Sequence, residues 1–212
     1  AITLLIVCFV SLPLGMFAAR RQNKISDLTL STATQIGMAV PSFWLGMMLI
    51  LYVGMKVDFF KVSGYIPWST SIAGALSTLL LPALTIAIPQ IAVNFRYVRT
   101  AILEQVGMDY VRTIRSKGIV ERVVMYKHVL KNAMIPILTV FGIITAEIVA
   151  GTIIVEQVFS LPGVGQLLIT AINNRDFPLV QGIVMYITVA VVMINFIVDI
   201  LYTVIDPRVR LR

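Results

Sequence analysis

Charge is scarce in this chain. Only 13% of its 212 residues are charged, while 58% are hydrophobic and the mean hydropathy is +0.94. A water-soluble domain of this length could not bury so much apolar surface, so its main solvent is lipid. There is a single cysteine, Cys8, inside an apolar run. This excludes a disulfide framework or a cysteine metal site within the chain and reads as a small hydrophobe. The lone histidine, His128, has no metal-ligand partner at useful spacing. No Gly-x-x-x-x-Gly-Lys-[Ser/Thr] loop, serine elbow or paired carboxylates occur, so neither nucleotide binding nor catalysis by this chain is supported. The first residues, Ala1-Ile-Thr-Leu-Leu-Ile-Val-Cys8, have neither an initiating Met nor a basic leader. They do not form a signal peptide, and the expectation is a chain whose true N-terminus, with an earlier span, is missing.

What is present is a series of long apolar runs. Five spans are expected, over residues 1–19, 29–53, 76–102, 133–155 and 181–205, each with the ~20 residues a helix needs to cross ~30 Å of hydrocarbon. The runs are continuous and not alternating, which argues against a β-barrel. Pro41 and Gly46 are expected to kink the second span. Residues 54–75 read as an interfacial loop with aromatic anchors such as Trp68. The fold class expected is therefore an all-α, polytopic membrane bundle, with residues 1–212 as one transmembrane domain.

Between the third and fourth spans lies the longest polar, basic stretch. It contains Arg112, Arg115, Lys117, Arg122, Lys127 and Lys131, with Asp109 and Glu121 as its acids. Val111, Ile114, Val120, Val123, Val124 and Tyr126 are interleaved with those charges, a pattern suited to two short amphipathic helices broken at Gly118. Five spans place 14 of the 17 Lys and Arg on the side of this loop, leaving Lys56, Lys61 and Arg175 on the other. The positive-inside rule then puts the 104–132 loop and the C-terminus in the cytoplasm and the first residue outside. Because the basic residues flank apolar spans, the net charge of +7 does not indicate nucleic-acid binding.

Two features inside the spans carry polarity. Glu147 sits in mid-span, a costly position unless it faces protein or a water-filled cavity; it reads as a pathway group or as a structural tie between helices. Ala146 and Ala150, like Glu147 and Gly151, are four apart, on a small-residue face another helix could approach. In the last span Thr188, Asn195, Asp199 and Thr203 form one polar stripe, suited to partner helices or a pathway. Residues 156–180 hold the turn formers Ser160, Pro162, Gly163 and Gly165, expected to turn back at the outer side. Arg175 and Asp176 are expected to form a local ion pair.

The residues Arg112-Thr-Ile-Arg-Ser-Lys-Gly118 and His128-Val-Leu-Lys-Asn-Ala-Met-Ile-Pro136 together resemble the cytoplasmic "EAA" loop of bacterial ABC importer permeases, in particular the dipeptide, oligopeptide and nickel branch. Pro41-Ser-Phe-Trp-Leu-Gly46, Pro82-Ala-Leu-Thr, Arg96-Tyr-Val-Arg99, Phe159-Ser-Leu-Pro-Gly-Val-Gly-Gln-Leu167, Ala171-Ile-Asn-Asn-Arg-Asp-Phe-Pro178 and Asp206-Pro-Arg208 fit that branch in order. The generic Glu-Ala-Ala is Arg112-Thr113-Ile114 here.

The resemblance implies a type I ABC importer permease that binds no cofactor itself and no metal. ATP and Mg would belong to two separate ATPase subunits. A second, similar permease and an extracytoplasmic substrate-binding protein would complete the assembly in the inner membrane. It implies that a loop helix around Arg112–Gly118, with Thr113, Ser116, Glu121 and Arg122, docks in an ATPase groove. Its apolar residues would enter the groove, and Arg112, Arg115 and Lys117 would pair at the rim. Peptides are the expected cargo, with nickel or a metal chelate as the alternative. An intramembrane enzyme using Glu147 and Asp199 is disfavoured because Glu147 is near mid-span and Asp199 near the cytoplasmic end of the last span, and a self-gating channel would leave the loop unexplained.

Overall fold

The computed structural model describes residues 1–205, with side chains at all but positions 146, 149–151, 199 and 201–205. The described residues form helices joined by short turns, with no strand among them. In order they are α1 (Ile2–Arg20), α2 (Ile25–Ala39), α3 (Ser42–Leu49, continued by a π-turn to Gly54), α4 (Ile72–Val106), α5 (Asp109–Ser116), α6 (Glu121–Val123), a π-turn over Val124–Val129, α7 (Leu130–Val158), α8 (Val164–Asn173) and α9 (Phe177–Ile205).

Four of these stretches are long and apolar enough to cross a membrane, and α2 with α3 makes a fifth if the bent pair is one span. Five spans were expected with the second kinked, and the pair that makes it is bent by 99°. The cause is local. Val40 precedes Pro41 and takes the extended conformation that a following proline favours, φ −83° and ψ 121°, which ends one helix before the next begins.

The core is built around α4. Its 35 residues reach about 52 Å at 1.5 Å per residue, well beyond ~30 Å of hydrocarbon. Ser71 caps its start, accepting a hydrogen bond from the Gly74 N–H at 3.1 Å. Pro82 and Pro89 lie inside it, tolerated in a helix that other helices surround. Helices α1 and α7 pack along α4, and Val7, Met16, Val98, Ile102, Ala133, Ile137 and Phe141 form their common core. A second cluster, Leu81, Val155 and Phe159, closes the end away from the loop against Leu49 and Val53. Half-buried Cys8 lines an apolar cavity of ≈ 360 Å³ with Phe141 and Val198. The close contact of α7 with α9 runs through Gly142, where an added Cβ would strike Val198. The small-residue face at Ala146, Ala150 and Gly151 lies outside the described side chains.

At the loop end, one ion pair ties the bundle. Asp27, only 3% exposed, accepts two bonds from Arg99, from Nε at 2.6 Å and from Nη2 at 2.7 Å. The backbone N–H of Asn23 donates a third at 3.0 Å. The pair clamps the start of α2 to the loop end of α4.

Candidate functional site

The loop is a firmly seated structure. In α5, Val111 is fully buried, and Tyr110 and Ile114 pack against the α1–α4–α7 core. Beyond the turn, Val124 and Met125 enter the same core. Hydroxyls close the polar side of α5, with Thr113 bonding to the Asp109 carbonyl and Ser116 to that of Arg112, both at 3.0 Å. Gly118 makes the expected break. Its φ of +72° is a left-handed value that disfavours a side chain.

Arg115 and Glu121 grip each other across that break, with Nη2 to Oε1 at 2.7 Å and Nε to Oε2 at 3.1 Å. Hydrogen bonding to this carboxylate raises the Arg115 pKa further above its ordinary value, so the charge is permanent. Both side chains are substantially exposed.

Val111 and Val124 are taken by the chain's own core, with Ile114 partly buried against it. Arg115 is held by Glu121, with both side chains exposed. The apolar surface left outward includes Ile119, Val120 and Val123, with Val120 69% exposed, besides Met108 and Tyr126. Arg112, Lys117 and Arg122 are exposed around it.

Within the spans, Glu147 is exposed on α7 and accepts a long bond from Gln90 Nε2 of α4, at 3.5 Å. On α9, Thr188 and Asn195 are exposed, and the Thr188 hydroxyl bonds back to the Val184 carbonyl at 2.8 Å. The side chains of Asp199 and Thr203 lie outside the described residues, as does the closing Asp206-Pro-Arg208.

After α7 the chain bends: Ser160 takes φ +51°, and Gly163 precedes the first residue of α8 as its N-cap. The organiser is Glu156, whose Oε2 accepts from the backbone N–H groups of Gly165 at 2.7 Å and Gln166 at 3.2 Å. A carboxylate there satisfies helix N–H groups that otherwise lack partners and suits the positive end of the dipole. Both glycines are needed for closeness. A Cβ on Gly165 would lie 2.5 Å from the Ile153 Cα, and one on Gly163 would run into the Glu156 carboxylate. Pro162 is exposed at the tip.

The expected Arg175–Asp176 ion pair is not what forms. The described ion pairs are Asp27–Arg99 and Arg115–Glu121. Asp176 instead accepts from the Leu179 N–H at 3.1 Å, the side-chain cap that a helix start demands, while Arg175 turns the chain at φ +56°.

Residues 11–211 match the family model of the binding-protein-dependent transport system inner membrane component. The chain belongs to this family. The oligopeptide transport system permease protein AppB of Bacillus subtilis (strain 168) is 34% identical over 211 residues, 99% of this chain and 67% of its own length. The dipeptide transport system permease protein DppB of Escherichia coli (strain K12) is 36% identical, with 95% of this chain and 66% of its own length covered. A relative in Brucella abortus (strain 2308) is 40% identical over 95% of this chain, which spans only 64% of that relative. Among solved structures, a chain of the inward-facing MetNI methionine ABC transporter superposes with a TM-score of 0.76 at 16% identity, covering 96% of this chain and 89% of the other. The observed all-α fold is thus the one the resemblance implied, and the MetNI chain shares it.

Three residues of this inner membrane component escaped the sequence reading: Asp27, Glu156 and Gln90. Asp27 had one available clue, an acid beside the cluster Arg20, Arg21 and Lys24 at the start of an apolar run. An acid at the edge of lipid needs a partner. Glu156 stands just before the Ser160–Gly165 turn, where a carboxylate can fold onto the next helix start. Nothing in the pattern marks Gln90.

Proposed function

We propose that this chain is the permease subunit of an ATP-driven importer that carries di- or oligopeptides across the inner membrane by alternating access. The observation that carries the reading is the loop, a rigid projection whose outward side is an apolar ridge ringed by basic residues. Helix α5 is fixed to the α1–α4–α7 core through Val111, so a push on the loop moves the spans and is not absorbed by a hinge. The Arg115–Glu121 pair and the Gly118 turn hold Ile119, Val120 and Val123 outward.

The loop and C-terminus face the cytoplasm in this reading, which the excess of basic residues on that side supports. Ile119, Val120 and Val123 seat in a groove on a separate ATPase subunit, while Arg112, Lys117 and Arg122 meet acidic groups at its rim. ATP and Mg bind to the two ATPases, and their closure drives the docked loops together. The spans then pass from inward- to outward-open. A second permease completes the pathway, and an extracytoplasmic binding protein delivers substrate. The chain itself catalyses no reaction. The relatives named for dipeptides and oligopeptides favour peptide over nickel or a metal chelate as the cargo.

The test is Val120→Glu. This side chain is outside the core, so the fold survives. In a docked groove the carboxylate would be buried without a partner, at a cost of several kcal/mol. Purified gently from native membranes, the wild-type chain brings down two ATPases and a second permease, and its membranes take up labelled dipeptide when ATP is supplied. The variant keeps the second permease and loses both the ATPases and the uptake. A wild-type chain that purifies alone, or a variant that keeps its ATPases, overturns the reading.

A further inference from the structure

One face of α7 is left uncovered by the chain along most of its length. Pro136, Thr139, Ile143, Glu147, Ile154 and Gln157 are all exposed, at spacings of three, four, four, seven and three, which place them on one side of a helix. Glu147 lies near the middle of this face. A carboxylate at that depth persists only where it meets protein or water, so the face lines a pathway or an interface and is not simply lipid-exposed.

The described residues give Glu147 one weak partner and no counter-charge. Among the described residues Glu147 belongs to no ion pair. Its bond from Gln90 Nε2 is long, at 3.5 Å, the weak end of hydrogen-bond geometry. The other end of that amide, Gln90 Oε1, is buried with no partner. A buried acceptor without a donor is costly. Two neighbouring helices therefore present a carboxyl acceptor and an orphaned amide acceptor side by side, and what the site lacks is a donor with more than one N–H. An ammonium group carries three donors and the charge. A small rotation of the amide would let it serve both oxygens.

We propose that Glu147, oriented by Gln90, binds the α-ammonium group of the peptide during its passage through the membrane. The assignment rests on the peptide-importer reading and adds to it a contact common to every peptide with a free N-terminus. Glu147 is the contacting residue and Gln90 a positioning residue.

The experiment uses the whole complex in native membranes and follows ATP-driven uptake of a labelled dipeptide by wild type, Glu147→Gln, Glu147→Asp and Gln90→Leu. Glutamine keeps the size and the hydrogen bond to Gln90, so a purely structural tie would be preserved and only the charge is lost. The expected result is a KM raised about tenfold in Glu147→Gln, the difference between a charge-assisted and a neutral hydrogen bond. Glu147→Asp recovers most of it, and Gln90→Leu gives a smaller rise, with complex assembly intact throughout. A Glu147→Gln complex with the wild-type KM overturns the assignment, as does one that no longer assembles, which would make Glu147 a structural tie. If wild-type membranes take up no peptide, the peptide reading falls, and this assignment with it. Peptide uptake that is indifferent to Glu147→Gln removes this assignment alone.

Discussion

Replacing Arg99 by leucine is expected to destabilise the folded chain by about 3–5 kcal/mol, the cost of leaving a buried charge without its partner. The estimate follows from the asymmetry of the pair. The Asp27 side chain is 4% exposed and that of Arg99 24%, so the acid depends on the base far more than the reverse. In the variant, Asp27 keeps the bond from the Asn23 N–H and a weaker one from the Ser31 side chain, neutral donors that do not replace the counter-charge of a carboxylate with so little access to water. Asp27→Ala is expected to cost less, because the guanidinium can turn toward solvent. The double variant Asp27→Leu, Arg99→Leu is expected to recover part of the loss, since an apolar pair needs no counter-charge. Thermal unfolding of the three variants in detergent checks this order. An Arg99→Leu chain as stable as wild type would mean that the clamp between α2 and α4 contributes nothing.

Gly15→Ala is the second change expected to be felt strongly, at about 1–3 kcal/mol for forcing atoms into a filled space. Helix α1 crosses α4 so closely that the new Cβ would lie 2.5 Å from Val98 Cγ1, 2.8 Å from Val98 Cβ and 3.2 Å from the backbone nitrogen of Arg99. Val98 is 1% exposed and β-branched, with one strongly preferred rotamer in a helix, so it cannot swing aside. Lipid offers no hydrophobic drive to hold helices together. Close packing at small residues does that work, and the added methyl removes it where α1 meets α4. Gly37→Ala provides the contrast, because its Cβ would meet only the Ala92 Cβ, at an ordinary 3.5 Å. Unfolding in detergent should separate the two clearly. Combining Gly15→Ala with Val98→Ala should cost less than the sum of the single changes, the mark of two side chains contesting one space.

Spans, turns and charge asymmetry were legible in the sequence because each is written in consecutive residues. Continuous apolar runs mark the helices, the left-handed Gly118 marks the loop's break, and Ser160 to Gly165 marks the bend after α7. What pairs across the chain was not legible. Asp27 and Arg99 are 72 positions apart, and only the packing of α2 on α4 joins them.

The loop shows the same limit at short range. An interleaved pattern places Val111 and Val120 on apolar faces alike, but it cannot say which face meets the chain's own core. The structure buries Val111 and exposes Val120, because α5 lies against the π-turn while the residues just after Gly118 are exposed. The Arg115–Glu121 pair was hidden for the same reason, since Glu121 stands on the far side of the turn at Gly118, whose φ is positive. Pro41 was legible as a break, but the 99° bend also depends on how α3 packs on α4.

The most direct measurement of the central claim, that the ridge after Gly118 is the surface the ATPase holds, is cross-linking from single cysteines in native membranes. With Cys8 replaced by serine, Val120→Cys is expected to give a permease–ATPase adduct with a short thiol-to-amine cross-linker, and Val111→Cys, sealed in the core, is expected to give none. An adduct from neither position, or from Val111→Cys and not Val120→Cys, would contradict the account.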